Sequence, residues 1–359
     1  MFATKLIGAS YPLVFFVFQG RISVTLFFAI VFFFNFNKIK NLRFSISTFV
    51  FHLALYSTII LFYLRNVSDL WITYTIIHLI SLNILMLLSK NGDINFYSIV
   101  KFIEYAIYSL FFIILVNTMT SIYYGGWWFY PNSYSFFGEQ GSATNLGLLI
   151  SMLIVLYGFY FAMSNQIDKM KYWHIFTILP FILISGSRTP IVIFLLFILS
   201  FFLVSKKHLL KLFIISITTF IISIFISNKY FAIDRFFENS FFKEGRIRTF
   251  IIAKDEITLS YIPDPVKWSS AYHNGFLDIL HTYQPYGFPI VLLVIIAYIT
   301  LLYKIKGSSL SKNSGNLNSH LIFLYSSSFI LFFTQVIPNA SYIFALVPYL
   351  LTRILLLKK

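Results

Sequence analysis

Few side chains in this sequence are of a kind that moves protons or holds charge, and they concentrate in three short stretches. In ISGSRTPIVIFLLFILSFF, Arg188 stands between two apolar runs, with Thr189 suited to an N-cap and Pro190 to the first helical position. Such a turn brings a helix N-terminus, its unpaired backbone N–H groups and a guanidinium to one place, an arrangement that attracts phosphate. Interfacial anchoring by an arginine is the alternative, although a guanidinium inside an otherwise unbroken apolar stretch is costly. In FFKEGRIRTFIIAKDEITLSYI, Arg246 and Arg248 follow Gly245 in a helical pattern. Two residues apart, they cannot share a face, so one can meet a site while the other pairs with Glu244 or Asp255. A solvated amphipathic helix accounts for the same spacing. In AYHNGFLDILHTYQPYGFPIVLL, His273 and Asn274 open a short helix carrying Phe276, Leu277 and Leu280 that leads straight into another apolar run. A neutral imidazole there could take a proton from a hydroxyl near neutral pH. A lone histidine is, however, more often structural.

The remaining histidines, His52, His78, His174, His208 and His320, show no metal-ligand spacing, and no cluster of acids accompanies them. No metal centre is expected. P-loop, Gly-rich dinucleotide and Gly-x-Ser-x-Gly patterns are absent, so no cofactor is expected either. Glu104 sits near Lys101 in a helical run, where pairing on one face is the default.

The elements that must position these residues are membrane helices. Of the 359 residues, 58% are hydrophobic and only 11% charged, and the mean hydropathy is +0.82, which excludes an ordinary soluble domain. Candidate spans fall at 6–20, 22–37, 44–64, 70–88, 99–118, 144–163, 172–186, 190–205, 209–227, 286–303, 320–337 and 342–357. These predict an all-α polytopic membrane protein of about 12 transmembrane helices. The long apolar runs do not fit the alternating ~10-residue strands of a membrane barrel. With no cysteine, disulfides, thiolate metal sites and cysteine nucleophiles are excluded.

The formal charge of +15 follows the positive-inside pattern and gives no reason to expect a nucleic-acid partner. Lys5, Lys38, Lys40, Arg43, Lys90, Lys101, Lys169, Lys171, Lys206, Lys207, Lys211, Lys304, Lys306, Lys312, Arg353, Lys358 and Lys359 all fall on one side if the N-terminus is cytoplasmic. Only Arg21, Arg65 and Arg188 then occupy short outer loops. Three regions result: helices over 1–227, a long outer segment over 228–285 with short helices, and helices over 286–359, with both termini cytoplasmic. A second outer segment, 119–143, reads TSIYYGGWWFYPNSYSFFGEQGSAT. It is either an interfacial aromatic belt or a stacking surface for sugar rings, for which Trp127, Trp128 and Tyr130 are the candidates, with Asn274 as a polar contact. No internal repeat is seen, which disfavours a two-halved transporter.

In order along the chain, a Ser187–Arg188 turn between spans, a Gly245–Arg246 helix in the long outer segment, and His273–Asn274 with Leu277 and then Gly287 before another span form a pattern. That pattern, over about 182–295, resembles the bacterial O-antigen polymerase and O-antigen ligase superfamily. The resemblance implies a multi-spanning (GT-C-like) glycosyltransferase of a bacterial cytoplasmic membrane, metal-independent and inverting, with its active site on the periplasmic or outer face. Its donor would be an oligosaccharide on polyprenyl pyrophosphate, with His273 as catalytic base and Arg188, Arg246 and, less securely, Arg248 as pyrophosphate ligands. The favoured activity is repeat-unit polymerisation of an O-antigen or capsule, because the chain is compact and YIPDPVKWSSAY is a short bridge between motifs. A chain-length regulator is the protein partner it implies. The alternatives are a ligase transferring the glycan to lipid A core and a lipid-linked oligosaccharide flippase.

Overall fold

The computed structural model describes residues 2–13, 96–125, 132–134, 140–164, 173–185, 187–204, 274–283, 287–308 and 315–334, and helical residues within 347–356. The expected spans 22–37, 44–64, 70–88 and 209–227 lie outside them, as does most of 228–285. Three helices, Ile99–Tyr124, Leu146–Met163 and Gly287–Lys306, are long and apolar enough to cross a bilayer. Shorter apolar helices cover Arg188–Ser200 and Ser319–Phe333. The chain is an α-helical membrane protein.

Two compact units are each assembled from separated stretches of chain. The first holds α1 (Phe2–Leu13), α2 (Phe96–Gly125), a ribbon of β1 (Asn132–Tyr134) and β2 (Gln140–Ser142), α3 (Ala143–Ser164), α4 (Trp173–Ser185) and α5 (Arg188–Val204). The second holds α6 (Gly275–Tyr283) and α7 (Gly287–Ser308). Of α8 (Gly315–Thr334), residues to Leu324 belong to the first unit and those from Tyr325 to the second.

In the first unit α3 is the enclosed helix. Its sequence is apolar on every side, and 94% of its span is buried, against 39% in α2. α2 instead buries one stripe, Ile99, Ile103, Ala106, Leu110, Ile113, Asn117 and Ser121, at the three- and four-residue steps of a helix face. Its opposite face exposes Tyr108, Phe112, Leu115 and Met119, a row of large apolar side chains of the kind that suits a bilayer. Lys101 and Glu104 pair at 2.6 Å, as their spacing predicted.

α2 runs on through Gly125, beyond the expected boundary at 118, and draws Tyr123 and Tyr124 into the helix. At 30 residues it is about 45 Å long, against about 30 Å for a hydrocarbon core. The segment expected as an aromatic loop therefore begins as helix. It then forms the ribbon, in which Asn132, Ser133 and Tyr134 pair antiparallel with Ser142, Gly141 and Gln140. Alternation was too short here to signal strands, at three residues each.

Contacts between the helices give their relative directions. At the far end of α3 from the ribbon, Tyr160 lies within electrostatic reach of Lys101 and Glu104 at the start of α2, so α2 and α3 are antiparallel. Gly147 meets Ser187 and Pro190, and Phe161 meets Phe197 at 6.4 Å, so α3 and α5 are parallel. Both relations are those expected. α1 packs against the first turns of α2. Lys5 Nζ stands 5.5 Å from the Tyr105 ring centre, while Gly8, further along α1, packs on the Phe102 backbone, which leaves no room for a side chain. Of the expected span 6–20, the residues up to Leu13 are described, and they are helical.

In the second unit Tyr298 of α7 is the packing centre. Its hydroxyl shares a hydrogen bond of 2.6 Å with Ser328 Oγ, and its ring meets Tyr325, Phe329 and Tyr349 at 5.7, 5.7 and 5.5 Å. A buried tyrosine is stable in such a place because its ring is packed and its hydroxyl is paired.

Candidate functional site

α6 begins where the sequence placed it. Asn274 is only 4% exposed, and its Oδ1 accepts hydrogen bonds from the backbone N–H groups of Phe276 at 3.0 Å and Leu277 at 3.3 Å. This is an N-cap, which satisfies two of the donors that every helix start leaves open. The acceptor oxygen of Asn274 is thus committed to the backbone, leaving its Nδ2 hydrogens for any substrate contact. Two further contacts hold α6. Phe276 packs edge-on to Phe332 at 4.7 Å, and Gly287 at the head of α7 lies so close to the Ile279 carbonyl that an added Cβ would sit 2.5 Å from the oxygen. A side chain at 287 would push α6 off α7. His273, next to the cap in sequence, lies outside the described residues. Asn274→Ala is expected to lower stability by about 1 kcal/mol while Asn274→Asp keeps it. Thermal unfolding in detergent checks this, and an alanine variant as stable as wild type would remove the cap from the account.

Arg188 is the first residue of α5 and is partly exposed. The helix starts earlier than the sequence reading had it: Ser187, not Thr189, stands at the boundary, and Pro190 is the third helical residue. Proline is tolerated there because the first four N–H groups of a helix have no intrahelical acceptor. Arg188 therefore lies within the first turn. Ser187 and Thr189 on either side of it are buried.

The turn is tied to the helix before it. Ser185 Oγ donates to the Ile182 carbonyl at 2.8 Å and accepts the Ser187 N–H at 3.3 Å, joining the last turn of α4 to the first of α5. From behind, the turn rests on α3 at Gly147, whose carbonyl accepts a 2.7 Å hydrogen bond from Ser151 Oγ. With α2 antiparallel and α5 parallel to α3, the end of α2 lies at this same end of the unit. Asn117 is buried in that part of α2, and its Oδ1 has no hydrogen-bond partner among the described residues. Neither Gly147 nor Asn117 was singled out by sequence. Their signal was faint: a Gly-x-x-x-Ser step in one apolar helix and a lone amide in another.

The sequence candidates are thus distributed. Arg188 belongs to the first unit and Asn274 to the second. Arg246, Arg248, His273, Trp127, Trp128 and Tyr130 lie outside the described residues. Among the described residues no three His, Asp or Glu side chains are grouped to hold a metal ion. No family model matches the chain, and neither a curated protein nor a solved structure does.

Proposed function

We propose that the chain is a polysaccharide repeat-unit polymerase, which transfers a growing glycan from polyprenyl pyrophosphate to a hydroxyl of a new lipid-linked repeat unit. The observation that carries the reading is the Ser187–Arg188 turn, which sets a partly exposed arginine in the first turn of an apolar helix, where backbone N–H groups have no intrahelical acceptor. An anionic leaving group at a membrane boundary needs that combination of donors, positive dipole and planar fork. The order of motifs along the chain is the second support, and the capped start of α6 beside His273 is the third.

In the proposed reaction His273 takes the proton of the attacking hydroxyl, the new glycosidic bond forms as the bond to the pyrophosphate oxygen breaks, and Arg188 with Arg246 holds the departing charge. Arg248 is the second choice for that role. Trp127, Trp128 and Tyr130 are proposed to stack on sugar rings. The reaction is placed on the outer face of a bacterial cytoplasmic membrane, with both termini on the inner side, and a chain-length regulator is its proposed protein partner.

The test is reconstitution of the purified protein with lipid-pyrophosphate-linked repeat units and resolution of the products by size. A ladder made by the wild type supports a polymerase. Transfer that appears only when a lipid A core acceptor is added moves the reading to ligase, and no transfer to any acceptor by folded protein overturns glycosyl transfer in favour of a transporter. Chelating divalent ions is expected to leave the rate unchanged, since the proposed chemistry needs only a base and fixed cationic groups; loss restored by one specific ion would reverse that expectation.

A further inference from the structure

Glycine is a poor helix former, and Gly147 stands in the first turns of a helix that is otherwise apolar, enclosed and well supplied with leucine. Its neighbours supply the reason. A Cβ built at 147 would fall inside the van der Waals radii of Ser187 Cβ and Oγ, with Pro190 Cγ 3.5 Å away. Ser187 is buried and immediately precedes Arg188, so it has no open side toward which to retreat. Backbone and side chain therefore meet at 147 with only a hydrogen between them. One turn on, Ser151 turns its hydroxyl back to the Gly147 carbonyl, so α3 carries two small residues four apart, of which Gly147 meets the turn. Small residues at that spacing allow close approach in an apolar bundle.

We propose that Gly147 is a positioning residue: by letting the α4–α5 turn lie directly on α3, it fixes where Arg188 and the first-turn N–H groups of α5 stand. The role in transfer rests on the pyrophosphate reading of Arg188 above; the seating itself does not. Ser185 holds the turn from the side of α4, and Gly147 sets its depth against α3. A methyl group at 147 pushes the turn outward, and the donors move with it.

The protein has no cysteine, so a single Arg188→Cys change gives one labelling site whose reaction rate with a charged thiol reagent reports the position of the turn. Labelling is measured in the reconstituted full chain, alone and combined with Gly147→Ala, Ser187→Gly or both. Gly147→Ala is expected to change the labelling rate, and Ser187→Gly, which removes the clashing atoms, to restore it. In chains that keep Arg188, Gly147→Ala is expected to lower the turnover rate about 10- to 100-fold, as displacements near 1 Å do, with little change in KM for the acceptor. The double variant is expected to recover most of that loss, and inhibition by inorganic pyrophosphate to weaken and recover in parallel. An unchanged labelling rate in Gly147→Ala, or no rescue by Ser187→Gly in folded protein, overturns the proposal. A labelling change that is rescued, but with no effect of pyrophosphate on any variant, upholds the seat and overturns the pyrophosphate reading.

Discussion

His273→Ala is expected to lower glycan transfer by about 10²- to 10⁴-fold, the range over which a positioned general base contributes. The protein is expected to insert and fold as before. The described contacts that start and hold α6 are made by residues that follow His273 in sequence: the Asn274 cap, the Phe276 ring against Phe332, and the bare backbone of Gly287 under Ile279. An attacking sugar hydroxyl is a weak nucleophile until its proton has somewhere to go, and alanine offers no acceptor. Product ladders from reconstituted wild type and variant, run beside thermal unfolding of both, separate lost chemistry from lost fold. A variant with the wild-type rate at ordinary substrate levels would end the assignment of His273 as base.

Arg188→Lys is expected to be nearly as damaging, with a loss of about 10²-fold, comparable to removing one donor from a site that stabilises developing negative charge. The substitution keeps the charge and removes the fork. An ammonium cannot present two parallel donors to a pyrophosphate, and its flexible stem does not share the geometry set by the first turn of α5. Initial rates of Arg188→Lys and Arg188→Ala against wild type make the comparison. Equal rates for lysine and arginine would mean that the position contributes charge alone and that the N–H groups of α5 are not part of the same contact.

Arg188 and Asn274 illustrate what was legible in the sequence. Both lie at boundaries between a polar turn and an apolar run, and boundaries are written in local residue chemistry: a hydroxyl or amide, an open first turn, a proline that needs no N–H. Even so, the start of α5 came earlier than expected, because Ser187 and Thr189 are equally suited to begin a helix and only the backbone decides between them. The enclosed position of α3 was not read from the sequence, in which several helices are apolar on all sides. Nor were the prolongation of α2 to Gly125 and the ribbon after it, since each depends on a neighbour. Gly147 is the clearest case. Within α3 it reads as one small residue among many, and its meaning lies in Ser187, forty residues further along the chain.

The hydroxyls of the apolar helices have one more consequence. Thr118, Thr120, Ser121, Ser151, Ser200, Thr300 and Thr352 each donate to a carbonyl three or four residues back in their own helix. A segment built this way reaches the lipid with these polar groups already satisfied, so it can leave an insertion channel sideways before any later segment has been synthesised. Assembly of the bundle is then free to follow insertion as a separate event, driven by shape, and substitutions that spoil a seat such as Gly147 are expected to yield protein that is fully inserted yet wrongly packed.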